Sequence, residues 1–302
     1  MNQLLIKRAL NHQVTKQEFC KDIECLFEVL RDSYGLYDYF GYKTFLTSKT
    51  EFFHRLDTED FDLQTAIEQL KDVFSAFIRD GHFAINPNNI ESKPSNFAIR
   101  HTTFHGIPMI QCRKFYADIP AEKAELEQFS SSFSYYQNDD PLIIDLRDNP
   151  GGSDCYIWDF LVGLFGIEPD YPCIFVQKYS QLFGEFANLE KRGIHSSESD
   201  GVMIKDKKQI YVLINERTAS SGESAVTYLK TIANTVIVGT NTAGCFTCGN
   251  CMTIYLPYSH LPVYFGTGMV LYEKNRNIDA EGGFRGDITY EAFLKQIDNQ
   301  GE

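Results

Sequence analysis

The sequence predicts an α/β protein, with a helical stretch over residues 1–88 and an α/β core over residues 89–302. Three observations carry that prediction. In DLQTAIEQLKDVFSAFIRDGH, Leu63, Ile67, Leu70, Phe74, Phe77 and Ile78 fall on one stripe at helical spacing. Beyond NPNN that period gives way to short strand-like runs. Two segments, PLIIDLRDNPGGSDCYIWDFLVGLFG and QIYVLINERTASSGESAVTYLKTIAN, each read as a buried strand, a turn of small residues and an amphipathic helix.

Taken in order, the chain reads as helical from about residue 15 to 80, and the apolar stripe stops at Asp80-Gly81, a natural helix end, with His82 directly after. FAIRHTTF and IPMIQC read as strands, and a helix rich in Ala and Glu runs from Pro120 to about Phe129. The strand PLIID then enters a turn at Pro150, Gly151 and Gly152. A loop-rich stretch from about Tyr179 to Lys208 precedes the second strand–turn–helix, whose helix is expected to bury Ala225, Val226, Leu229, Ile232 and Ala233. TVIVG, TIYLP and PVYFG complete the strands. There is no internal repeat and no low-complexity segment.

The totals narrow the function classes. A chain of 302 residues with 43% hydrophobic content can bury a full core. Its formal net charge of −13 argues against nucleic acid, whose binders displace counterions with clustered Lys and Arg, and against anionic membrane surfaces. No run approaches the roughly 18 apolar residues of a membrane span. MNQLLIKRALNHQVTKQEFC lacks the apolar core of a secretory signal, and eight cysteines in so long a chain read as reduced thiols. The cytoplasm is the expected location.

Chemistry is expected at the two small-residue turns. Ser220-Ser221-Gly222-Glu223 fits the S-x-x-E capping box, and a helix cap accounts for that pattern by itself. A serine on a sharp strand-to-helix turn is also how several hydrolases expose a nucleophile. Gly151 and Gly152 let the backbone approach a ligand and aim N–H groups outward, which together with the N–H of Ser221 could form an oxyanion hole. A plain turn preset by Pro150 accounts for them equally. His101 and His105 read as structural, and His12, His54, His195 and His260 have no motif around them. Cys245, Cys248 and Cys251 have C-x-x-C spacing, but three cysteines without a partner pair fall short of a zinc or iron–sulfur set. They are expected to be thiols packed beside the site, with no metal and no cofactor.

IIDLRDNPGG, then ERTASSGE, then VIVGTNTAG resemble, in order and spacing, the tail-specific (C-terminal-processing) serine peptidase family, which includes the tricorn core protease and interphotoreceptor retinoid-binding protein. The similarity runs over roughly Phe61 to Asp287. RDGHFAI resembles the DGH-type motif that ends the family's N-terminal helical region, and AEGGFRGDI resembles its C-terminal EGxGxxPD-like motif. The resemblance implies a crotonase/Clp-protease-like core with a small N-terminal helical domain. It also implies a catalytic Ser220, with Ser221 contributing a backbone N–H beside Gly151 and Gly152.

Departures from the family pattern select a branch. Many members use a Ser–Lys dyad, but the lysine position falls on Cys245, and a cysteine cannot simply replace a lysine tuned to act as base. The tricorn-like branch uses histidine oriented by glutamate, which maps onto His82 and Glu281. Gly81 replaces the tricorn serine before that histidine, and Gly286 replaces the usual proline before Asp287. The gap between His82 and the strand at Ile107 leaves no room for a PDZ module. The resemblance therefore implies a serine peptidase acting on peptides or unfolded protein segments. The alternative it allows is a non-catalytic peptide- or lipophile-binding protein that kept the fold.

Overall fold

The computed structural model of the chain describes residues 3–58, 60–87, 96–169, 171, 173–179, 193–198, 208–231 and 234–299. In chain order the elements are α1 (Lys16–Ser33), α2 (Tyr37–Phe40), α3 (Tyr42–Thr58), α4 (Leu63–Ser75), β1 (Ala84–Ile85), β2 (Ile99–Phe104), β3 (Ile107–Cys112), α5 (Pro120–Ser131), β4 (Leu142–Asp145), α6 (Cys155–Phe165), β5 (Cys173–Tyr179), β6 (Gly193–Glu198), β7 (Ile210–Ile214), α7 (Ser221–Lys230), β8 (Thr235–Gly239), β9 (Cys248–Tyr255), β10 (Pro262–Tyr272) and α8 (Tyr290–Asp298). They fall into two compact units. The first holds Met1–Glu91, Ile174–Ser197 and Thr247–Leu271; the second holds Ser92–Cys173, Glu198–Phe246 and Tyr272–Glu302.

In the first unit, α1 starts where both halves of a capping box close. Thr15 Oγ1 accepts the N–H of Glu18, and Glu18 Oε2 accepts the N–H of Thr15 at 2.9 Å. Its buried face, Phe19, Ile23, Leu26, Phe27 and Leu30, shares one core with Leu63, Ile67, Leu70 and Phe74 of α4. That core also takes in Met252, Ile254, Val263 and Phe265 from the antiparallel β9–β10 pair. The stretch 1–88 is thus completed by a sheet whose strands come from far along the chain. Asp22, fully buried on α1, accepts the N–H groups of Tyr258 and Ser259 at the β9–β10 turn and ties helix to sheet. β1 pairs antiparallel with β10, while β5 and β6 extend the same sheet.

Two details differ from the sequence-based expectation. The α4 helix ends at Ser75, ahead of Asp80-Gly81, because Arg79 Nη1 bonds back to the Ser75 carbonyl and satisfies the helix end that a glycine cap would have served. Asp80-Gly81-His82 is consequently a turn of its own. Strands β5 and β6 also go beyond the expectation of loop over and before Tyr179–Lys208; apart from Lys208 the rest of that stretch, like Ile232 and Ala233, lies outside the described residues.

The second unit is built on a sheet of order β2-β3-β4-β7-β8, parallel from β3 onward. Every residue of β4 and β7 is buried, as expected of central parallel strands covered on both faces. Ile143, Tyr211, Leu213 and Val238 pack with Phe293 and Ile297 of α8. Their neighbours along the strands point to the other face. Among the described residues no helix is long and apolar enough to cross a membrane.

Candidate active site

Parallel pairing of β4 with β7 brings the two small-residue turns side by side. Asp145 lies opposite Leu213, so both strands end at the same edge of the sheet, at the carboxyl ends where open α/β sheets bind ligands. The turns are then bonded to each other. The N–H of Ala219 donates to the Asn149 carbonyl at 2.8 Å, and Ser221 Oγ donates to the Gly152 carbonyl at 2.7 Å. Gly151 and Gly152 hold φ at 105° and 130°, where residues with a Cβ are strained. Space forbids a Cβ as well: one on Gly151 would lie 2.7 Å from Ser220 Cβ, and one on Gly152 2.2 Å from the Phe115 carbonyl oxygen.

An ion-pair network anchors the first turn from below. Fully buried Asp145 accepts from Arg147 Nε at 2.8 Å and from Arg113 Nη2 at 2.7 Å, and Arg113 Nη1 also donates to the Arg147 carbonyl at 2.7 Å. Burial alone would raise the carboxyl pKa, but the hydrogen bonds from Arg147 and Arg113, with their charges, hold it below its ordinary value. A depressed folded pKa contributes stability that is present above the unfolded value of about 3.9 and is lost as pH falls through the folded one. Asp145→Asn is therefore expected to cost about 3 kcal/mol at pH 7. It should also flatten the loss of stability below pH 4, as read from urea unfolding across that range.

Ser220 stands at the N-terminal cap of α7 with φ 53° and ψ −122°, away from the extended backbone of an ordinary cap. Its hydroxyl faces the backbone N–H of Glu223, as the S-x-x-E pattern asks, without closing a capping hydrogen bond. Glu223 does more than that pattern requires. Fully buried, it accepts the N–H of Ser220 at 3.1 Å, the hydroxyl of Thr242 at 2.5 Å, and the N–H groups of Gly244 at 3.0 Å and Cys245 at 2.8 Å. Burial pushes its pKa up, and these four donors act against that rise. One carboxylate thus fixes the strained serine to the loop that carries Gly244 and Cys245. Thr242 Oγ1 in turn accepts the N–H of Phe284, which links the EGGFRGD turn to the same assembly.

The two glycines are not equivalent. The N–H of Gly151 already donates to Asn149 Oδ1 at 2.8 Å, and Asn149 is itself buried and tied to the Cys112 carbonyl. Gly151 therefore shapes the turn, while Gly152 and Ser221 keep N–H groups that no hydrogen bond among the described residues engages. That is the donor pair an oxyanion hole needs.

His82 belongs to the first unit, whereas Ser220, Ser221, Gly151, Gly152 and Glu281 belong to the second. The imidazole is buried, lies by the Cys248 carbonyl, and leaves Nδ1 without a hydrogen-bond partner among the described residues. Burial lowers its pKa, with neighbouring Asp80 opposing, so it is neutral and able to accept a proton at pH 7. Glu281 is exposed and doubly bonded to Arg276, at 3.0 Å from Nε and 2.5 Å from Nη2, which lowers its pKa. Cys245 falls in the second unit, while Cys248 and Cys251 lie on β9 of the first. Among the described residues no group of three His, Cys, Asp or Glu is arranged to hold a metal. Asn149 and Thr242, which hold the two turns, escape sequence reasoning as site residues. Their signal is adjacency to the glycines and to the TAG turn.

No curated protein sequence matches the chain, but solved structures do. Mature CPAF aligns over 94% of this chain and 96% of its own, with a TM-score of 0.62 at 12% identity. A lipoprotein from Streptococcus agalactiae aligns over 96% and 98%, with a TM-score of 0.58 at 16% identity. At these identities the likeness is one of fold. The family model of peptidase family S41 matches residues 99–290, which hold both turns, Glu223 and Glu281, and stop short of His82 on the N-terminal side. With well over half of the sequence matched, the α/β fold shared, and the motifs in their expected order, the chain belongs to peptidase family S41.

Proposed function

We propose that this chain is a serine peptidase that hydrolyses peptides or unfolded protein segments, with Ser220 as nucleophile and His82 as general base and then acid. The observation that carries the reading is the setting of Ser220. Its strained backbone is fixed by a buried carboxylate, beside two backbone N–H groups left open for a ligand oxygen. Ser220 Oγ attacks the peptide carbonyl while His82 takes its proton and then gives it to the leaving amine. The tetrahedral oxyanion is received by the N–H groups of Gly152 and Ser221, with the N-terminus of α7 adding favourable dipole. Water then releases the acyl group from Ser220 by the same proton path in reverse. Glu281 is the carboxylate that the family resemblance assigns to His82. Glu281 is itself paired with Arg276 at an exposed position.

The test uses an unstructured peptide and a fluorophosphonate probe. The unaltered chain should be labelled at Ser220, and Ser220→Ala should lose labelling and about 10⁴-fold or more of the hydrolytic rate. Equal hydrolysis by the two proteins would remove Ser220 as nucleophile. Binding of peptide with neither labelling nor hydrolysis would favour the non-catalytic reading.

A further inference from the structure

We propose that Asp80, rather than Glu281, is the carboxylate that positions His82 and stabilises its protonated form. The inference rests on the reading of His82 as base and adds a positioning residue to it.

The geometry of the Asp80-Gly81-His82 turn carries the argument. Asp80 Oδ1 accepts the backbone N–H of His82 at 2.8 Å, a side-chain-to-backbone bond that closes a tight turn. Oδ2 accepts the hydroxyl of Tyr34, the C-terminal cap residue of α1, at 2.8 Å. The thiol of Cys248 on β9 also donates to the Asp80 carboxylate. The carboxylate is thus held from the turn itself, from the end of α1 and from β9. As a residue Asp80 is only partly buried, but the carboxylate is turned inward far enough for desolvation to raise its pKa.

Besides burial, the main influences on the Asp80 carboxyl are the His82 N–H and ring, the Tyr34 hydroxyl and the Cys248 thiol. Lys71, which with Asp80 lines a cavity of about 270 Å³, pairs with Glu68 at 2.9 Å. His82 meets the Cys248 carbonyl from β9 and the Tyr264 ring from β10, with centroids 6.4 Å apart. Cys251, also on β9 and acted on by Asp80, has its thiol pushed up to about 11 and stays neutral. A protonated His82 would be a cation able to neutralise Asp80. In exchange, Asp80 compensates for forming an imidazolium where burial disfavours it. Glu281 rests on Arg276 in the second unit.

The titration of His82, followed by NMR of its ring in the Ser220→Ala chain, tests this independently of catalysis. Asp80→Asn keeps the size of the side chain and an oxygen for the turn, and should lower the His82 midpoint by about one pH unit or more. Glu281→Gln should leave the midpoint in place. In chains with Ser220 intact, the acidic limb of kcat/KM should move the same way. An unmoved midpoint in Asp80→Asn, or a larger shift in Glu281→Gln, would overturn the proposal. Should Asp80→Asn fail to fold, the carbon resonance of the Asp80 carboxyl in the otherwise unaltered chain decides. It should shift a second time at the His82 midpoint, and a single step would refute the coupling. A shifted midpoint in a chain that hydrolyses nothing would support the pairing and count against the peptidase reading alone.

Discussion

Glu223→Ala is expected to abolish hydrolysis and to cost about 4 kcal/mol of stability, although in the proposed mechanism Glu223 never touches substrate. Four donors lose their acceptor at once: the N–H groups of Ser220, Gly244 and Cys245, and the hydroxyl of Thr242. Each buried donor left unpaired costs about 1–3 kcal/mol, and water entering the space recovers part of the sum. The backbone of Ser220 loses a bond that opposes its strain and is expected to relax toward an ordinary cap, swinging the hydroxyl away from the Gly152 and Ser221 donors. Glu223→Gln should fall between, because its amide keeps one acceptor oxygen but turns an NH₂ toward backbone donors. Urea unfolding and peptide hydrolysis on the same samples separate the two effects. Activity within tenfold of the unaltered chain in Glu223→Ala would mean that the carboxylate does not hold the nucleophile.

Gly152→Ala is the second large effect. The new Cβ would sit 2.2 Å from the Phe115 carbonyl oxygen, and the residue would have to hold φ near 130°. Backbone cannot yield as a side-chain tip can, so the turn must rearrange, at about 3 kcal/mol or more. The displaced N–H is one of the two proposed oxyanion donors, whose loss typically lowers kcat by about 10²–10³. Gly166→Ala makes the comparison fair. It follows α6 at φ 71° with nothing within 4 Å of an added Cβ. That change should cost about 1 kcal/mol and leave the rate alone. Equal rates for the two variants would show that the Gly152 N–H takes no part.

What could be read from sequence was mostly local. The stripe from Leu63 to Ile78 announced α4, and the apolar runs PLIID and IYVLI announced β4 and β7, because burial on a helix face or in a parallel sheet leaves a periodic or continuous apolar signature. The end of α4 was not legible, since Arg79 supplies by side chain what Gly81 was expected to supply by conformation. Nor was the partnership of the helical region with β9 and β10, which depends on contacts across most of the chain. At the site, the S-x-x-E pattern exposed Glu223 as a cap but hid its bonds to Thr242, Gly244 and Cys245. The capture of the Gly151 N–H by Asn149, which separates two adjacent glycines into different duties, has no sequence signature either.

The β4–β7 pairing has a consequence for how far such a chain can drift. The gap between the two turns is set by the main-chain spacing of neighbouring strands, about 4.8 Å, and main-chain bonds are indifferent to which side chains decorate them. Substitutions can therefore accumulate across the sheet without altering the distance over which the machinery is assembled. Mature CPAF and this chain share a fold over nearly their whole lengths at 12% identity, a likeness of backbone that such insulation permits.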